Sequence, residues 1–161
     1  MIRTVNESAF GGAEEADLIE ALRNDDDVLL SLVAELDREV VGHIMFSRMA
    51  IVTGTGAIDA VALAPVAVLP QYQRQGIGAR LTQHGLEALR DRGERIVIVV
   101  GHAAYYPRFG FSTELARALE SPFPPDVFMA LALSAGALDD IHGRVRYPRA
   151  FGLTESPDSA Q

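Results

Sequence analysis

Apolar residues recur at helical spacing at the start of the chain: Ile2, Val5, Ala9 and Phe10, then, after Gly11-Gly12, Ala16, Ile19, Ala21 and Leu22. The pattern predicts two short helices. Apolar runs over Leu29 to Leu36 and Glu39 to Ser47 predict two strands that turn at Asp37-Arg38. Thr53-Gly54-Thr55-Gly56 reads as a flexible loop ahead of Val61 to Leu69, whose near-unbroken apolar character predicts an interior strand covered on both faces. Pro65 has no amide to give to a ladder, so a strand start, an edge or a bulge is expected there. From Gly78 to Arg92, Leu81, Gly85, Ala88 and Leu89 share one helical face, Arg80, Gln83, Glu87, Arg90 and Asp91 are polar, and Gly93 stops the helix. The β-branched run Arg95 to Val100 completes a strand–helix–strand unit with parallel strands, and a ligand is expected at its switch point. Pro122, Pro124 and Pro125 form a rigid connection, Val127 to Leu133 reads as a further strand, and Thr154 to Gln161 is a polar tail beyond a single domain of residues 1–153.

Composition narrows the chemistry. With 161 residues, 48% of them hydrophobic and 22% charged, the chain is expected to fold alone. All 14 basic residues are arginine, and the missing lysine removes Schiff-base chemistry, PLP attachment and the Walker phosphate site. Cysteine is absent too, which removes thiol nucleophiles, disulfides and thiolate zinc sites and is compatible with a reducing cytosol. A formal charge of -8 opposes nucleic-acid binding. The apolar runs fall short of a membrane span, and Asn6, Glu7 and Ser8 interrupt any signal-peptide core. A soluble, cytoplasmic protein without nucleic-acid or membrane partners is therefore expected. Histidines 43, 84, 102 and 142 show neither HxH nor HExxH spacing, so no metal is expected. Ala132-Leu133-Ser134-Ala135-Gly136 only approximates a nucleophile elbow, and Asp25-Asp26-Asp27 reads as a solvated turn, with attraction of a cationic substrate as its alternative.

Gln73-Arg74-Gln75-Gly76-Ile77-Gly78 stands between the buried strand and the long helix. Unpaired amides and the positive end of a helix dipole meet there, which suits a pyrophosphate, with Arg74 or Arg80 adding charge. Ordinary turn chemistry is the competing reading. Leu81 occupies the third glycine position of the dinucleotide pattern, and no acidic residue closes the next strand near Val100. A pyrophosphate held chiefly by backbone remains, and coenzyme A presents one.

Gln73, Gly76 and Gly78 match the Gln/Arg-x-x-Gly-x-Gly/Ala phosphate loop of the GNAT family of acetyl-CoA-dependent N-acetyltransferases, which the chain resembles. Leu63 to Pro70 running into that loop, and Tyr105-Tyr106-Pro107-Arg108-Phe109-Gly110-Phe111, are similar to its YhbS-like branch. The resemblance is densest from Val61 to Phe111 and looser over Ser31 to Ser47, Val127 to Leu133 and Gly143 to Gly152. It implies an α/β fold with a mixed, mainly antiparallel sheet flanked by helices and a splayed parallel strand pair forming the coenzyme cleft. The family's usual first strand has no counterpart ahead of the helix at Ile2 to Phe10, so two expectations stand side by side: a chain that begins late relative to its relatives, or another segment, from this chain or from a partner in a homodimer, at that sheet edge.

The same resemblance implies that Val66, Ala67 and Val68 contact the pantetheine arm through backbone, and that Gln73, Arg74, Gln75, Gly76, Ile77, Gly78 and Ala79 surround the pyrophosphate. Tyr106 matches the tyrosine that protonates the departing thiolate; its bland alternative is an amphipathic core residue. Val61 to Leu69 holds no ionisable residue, so a water relay is the expected base, with His102 a candidate to accept the amine's proton directly or through water; its competing reading is a hydrogen-bonded wall residue. His43 and Glu35 on the hairpin are further candidates to face the acceptor. The implied reaction moves acetyl from acetyl-CoA to a primary amine, on a small molecule or a peptide, by direct attack in a ternary complex. An acyl-CoA-binding sensor or interaction module with little activity is the alternative, and acyl-CoA hydrolysis a third.

Overall fold

The computed structural model describes residues 1–153; the polar stretch 154–161 lies outside the described residues. Helices α1 (Ile2–Phe10) and α2 (Glu14–Asn24) come first, so no strand precedes α1 among the described residues. Strand β1 (Val28–Leu36) turns into β2 (Glu39–Thr53) through Asp37 and Arg38, with φ +49° and +67°. Two successive left-handed residues make the turn that matches strand twist, even though neither residue is glycine or asparagine. β3 (Gly56–Val68), α3 (Ile77–Asp91), β4 (Ile96–Val100), β5 (Leu119–Glu120), β6 (Phe128–Ala132) and β7 (Gly143–Arg146) complete the elements.

The seven strands form one sheet in the order β5-β7-β2-β3-β4-β6, with β1 alongside β2. Only β3–β4 and β5–β7 run parallel. Among the described residues the outer side of β1 carries no strand. Thr53 to Gly56, read from the sequence as a flexible loop, is a tight turn that lets β2 and β3 pair from Thr53↔Gly56 to Gly42↔Val68. Both strands are therefore longer than their apolar runs suggest. The short strands β5 and β7 are additions that the hydrophobic pattern does not predict.

One face of the sheet packs Ile44, Phe46, Leu63, Val97 and Met129 against Leu81, Leu86 and Leu89 of α3. Gly85 sits where α3 crosses Phe46, and a Cβ built there would lie 2.3 Å from the ring. Gly85→Ala should therefore lower stability by about 2 kcal/mol despite the better helix propensity of alanine, because a fully buried ring has nowhere to move. A urea titration beside an exposed His84→Ala control measures the difference.

The opposite face is covered by α1, by α2 and by the segment between β4 and β7. Beneath α1 lies a polar seat. His43 is 0% exposed, takes a hydrogen bond at Nδ1 from Asn6 Nδ2 (3.2 Å) and donates from Nε2 to Ser31 Oγ (2.9 Å), which also accepts from Arg23 (3.1 Å). Asn6 Nδ2 donates to the Ile2 carbonyl as well, and that fixes the amide orientation. Burial first, and the Arg23 charge second, lower the His43 pKa to about 4. The unfolded chain takes up this proton near 6.5 and the folded chain does not, so stability is complete above pH 6.5 and declines as pH falls toward 4. The full loss is about 3 kcal/mol. Denaturant titrations at pH 7.5 and 4.5 should show it, and a His43→Gln variant should flatten the slope.

No described helix is long and apolar enough to cross a membrane.

Candidate active site

β3 and β4 share only two rungs, Val61↔Val97 and Ala62↔Ile98. Beyond them β4 continues against β6 through Val100↔Phe128, while β3 turns away with β2. The separation begins at a bulge: Ile44 pairs with Val66 and Phe46 with Leu63, so the single residue Met45 of β2 lies opposite two of β3, Ala64 and Pro65. Proline is tolerated there because the bulge removes the rung its missing amide would have filled. The joined end is clamped by Arg48, whose guanidinium makes a bidentate pair with Glu94 (2.9 and 2.6 Å) and donates to the Ala60 carbonyl (3.2 Å). A V-shaped cleft results, tied at its base and open at the ends of β3 and β4.

The bulge also decides which groups face the cleft. The Leu69 amide donates to the Val41 carbonyl (2.8 Å), so ladder alternation turns Ala67 toward β2 as well and leaves the amides of Val66 and Val68 pointing into the opening. The Ala67 side chain packs with Val5, Val41 and Leu69 beneath α1. Ala67 is thus turned from the cleft while its two neighbours face it.

At the top of the cleft α3 begins at Gly76, which has φ +84° and is followed by a first helical hydrogen bond from Arg80 N to Gly76 O (3.0 Å). No side chain caps this end, so the amides of Ile77, Gly78 and Ala79 have no partner among the described residues. Arg74 also adopts a left-handed backbone, φ +64°, and Arg74 and Arg80 are exposed. Gln73 and Gln75 are exposed as well, but their side chains bond back to the main chain: Gln73 Nε2 donates to the Val68 carbonyl (3.0 Å) and Gln75 Nε2 to that of Gln71 (3.5 Å). Their amide side chains brace the loop against the strand end, leaving backbone and arginine to meet an anion.

The segment after β4 forms the facing wall. Phe111 is buried in the core and anchors the turn, with Gly110 at φ +100° allowing the reversal. The Tyr106 ring lies against Gly101, where a Cβ would stand 2.3 Å from it, and meets Phe111 edge-on at 5.8 Å. Burial pushes its hydroxyl up to about 12, so the phenol keeps its proton at neutral pH. His102 is exposed, and its carbonyl accepts from the amides of Tyr105 (3.0 Å) and Tyr106 (3.3 Å). Tyr105, which the sequence left without a role, sends its hydroxyl across to α3 and β3. His43 is fully buried beneath α1, and Glu35 is exposed on the hairpin. Among the described residues no three His, Asp or Glu side chains gather where they could share a cation.

A mixed sheet split beside the uncapped start of a helix defines the acyltransferase class to which the GNAT proteins belong. Residues 2–113 match the family model described as an acetyltransferase (GNAT) domain, and the chain belongs to that family. It is similar to the uncharacterized N-acetyltransferase YjhQ of Escherichia coli K12, at 46% identity over 115 residues, 68% of this chain and 62% of that protein. Thus the chain spans less than two-thirds of YjhQ. It is 34% identical over 146 residues to the uncharacterized N-acetyltransferase YhbS of the same strain, covering 89% of this chain and 86% of YhbS. The crystal structure of E. coli YhbS in complex with CoA matches with a TM-score of 0.87 and 30% identity, over 96% of this chain and 86% of that one. A Brucella melitensis GNAT acetyltransferase in complex with acetyl-CoA matches with a TM-score of 0.77 and 37% identity, over 93% and 89%.

Proposed function

We propose that residues 1–153 act as one N-acetyltransferase unit that transfers acetyl from acetyl-CoA to a primary amine by direct attack. The observation that carries this reading is the cleft itself: the free amides of Val66 and Val68 open toward the uncapped first turn of α3. Amides of Ile77, Gly78 and Ala79 and the positive helix end suit the pyrophosphate, and Arg74 and Arg80 can add charge. The β3 amides suit the carbonyls of the pantetheine arm, and that of Val68 the oxyanion that develops as nitrogen attacks the thioester carbon.

In the step itself the C–N bond forms as the C–S bond breaks, the amine loses a proton and sulfur gains one. Tyr106 supplies the hydrogen bond to sulfur. A phenol with a pKa of about 12 is a weaker acid than a thiol, so this hydrogen bond chiefly stabilises the charge building on the leaving sulfur, and a proton passed to sulfur is restored to Tyr106 from water. His102, exposed on the same turn, receives the amine proton through water. Without cysteine there is no cysteinyl acyl-enzyme.

The test is to incubate the protein with acetyl-CoA and a panel of small amines and peptides, following free CoA and acetylated product together. Amine-dependent release of CoA matched by acetyl-amine supports transfer. Amine-independent release indicates hydrolysis, and tight acetyl-CoA binding without turnover across the panel indicates a sensor; either outcome overturns the reading.

A further inference from the structure

We propose that Tyr105 is a coenzyme-positioning residue, whose hydroxyl donates a hydrogen bond to the pyrophosphate beside the amides that begin α3. The assignment rests on the coenzyme reading above and adds a side chain that the phosphate-loop motif does not contain. Tyr105 belongs to the β4 side of the cleft, yet its hydroxyl reaches the other side. A Cβ built on Gly78 would stand 3.8 Å from the Tyr105 oxygen, and equally 3.8 Å from Val66 Cγ1 and Val68 Cγ2. The side chain therefore spans the opening between the strands and ends beside the first turn of α3.

Its ring is held on several sides. The Arg108 guanidinium lies 4.3 Å from the ring centroid, and Arg108 Nε donates to the Tyr105 carbonyl (2.8 Å). Tyr106 and Phe109 meet it edge-on at 5.1 and 5.5 Å. A ring packed this way loses little freedom when its hydroxyl takes a partner. Among the described residues nothing hydrogen-bonds to that hydroxyl, although it stands beside amides that are also without partners. A phenol can donate or accept, and beside a row of free amides its donor suits an anionic oxygen that both could hold. Burial raises the Tyr105 pKa against the opposing pull of Arg108, so the group remains a donor at neutral pH.

Tyr105→Phe removes the donor and keeps the ring. The experiment measures acetyl-CoA affinity by calorimetry, and kcat and KM with two donors: acetyl-CoA, and S-acetylpantetheine, which has the thioester and arm but no pyrophosphate. We expect acetyl-CoA affinity to fall about 10-fold, kcat at saturation to stay within about two-fold, and kcat/KM for S-acetylpantetheine to be unchanged. Unchanged or tighter acetyl-CoA binding, an equal loss with both donors, or a loss confined to kcat overturns the assignment while the coenzyme reading stands. Failure of the wild-type protein to bind acetyl-CoA overturns that reading, and this assignment with it. Because the aromatic packing is retained, an unchanged melting temperature separates the loss of the donor from a loss of fold.

Discussion

Gly76→Asp combined with Gly78→Asp should lower acetyl-CoA affinity by more than about 10³-fold and leave the fold intact. Both halves follow from local geometry. A Cβ at Gly76 meets nothing within 4 Å, and at Gly78 it meets only ordinary contacts at 3.8 Å, so the first side-chain atom is accommodated at both positions. Aspartate tolerates the left-handed backbone of Gly76, φ +84°, better than most residues, and carboxylates at a helix start offset the dipole that they face. The same carboxylates compete for the amides of Ile77, Gly78 and Ala79 and repel a diphosphate. Calorimetric titration with acetyl-CoA beside a thermal melt reads both quantities. Saturable binding by the double variant near the wild-type affinity would move the pyrophosphate to another place on the molecule.

The second large effect is on chemistry alone. Tyr106→Phe should reduce kcat by about 10³-fold with little change in acetyl-CoA affinity, because the hydroxyl matters only while charge gathers on sulfur. The ring stays in place, since its contacts with Gly101 and Phe111 involve carbon atoms that phenylalanine keeps. Together with Tyr105→Phe this gives two adjacent tyrosines opposite signatures, one in turnover and one in affinity. Single-turnover rates with saturating acetyl-CoA isolate the step. A Tyr106→Phe variant with wild-type turnover would remove this residue from protonation of the leaving group.

What the sequence made legible follows the length over which a pattern repeats. Leu81, Gly85 and Leu89 mark α3 because they recur at a spacing of four along one face, and the β-branched Ile96–Val100 marks β4 because both its faces are buried. The bulge at Pro65 was legible because proline leaves few alternatives in a ladder. Arg48 and Asp59, by contrast, interrupt apolar runs and hide the outer halves of β2 and β3; Arg48 is accommodated through partners distant in sequence, chiefly Glu94, 46 positions away. β5 and β7, of two and four residues, are too short to show any period. At the site, the glycine loop was readable because backbone conformation is a local property. The reach of Tyr105 across the cleft and the burial of His43 were not, since each depends on partners brought together by the fold. Doubling of the tyrosine in Tyr105-Tyr106 was the one available signal, and spacing alone does not say which of the two rings crosses over.

The Arg48–Glu94 clamp has a thermodynamic consequence. With its base tied, the gap between β3 and β4 belongs to the folded state before any ligand arrives, and the rungs missing beyond Ala62 are already paid for in conformational entropy. An extended amide-bearing arm lying in that gap is a surrogate strand, meeting the main-chain groups that the missing rungs leave free. Association then completes the sheet with little ordering of the chain, and each increment of affinity is returned as resistance of the central strands to unfolding.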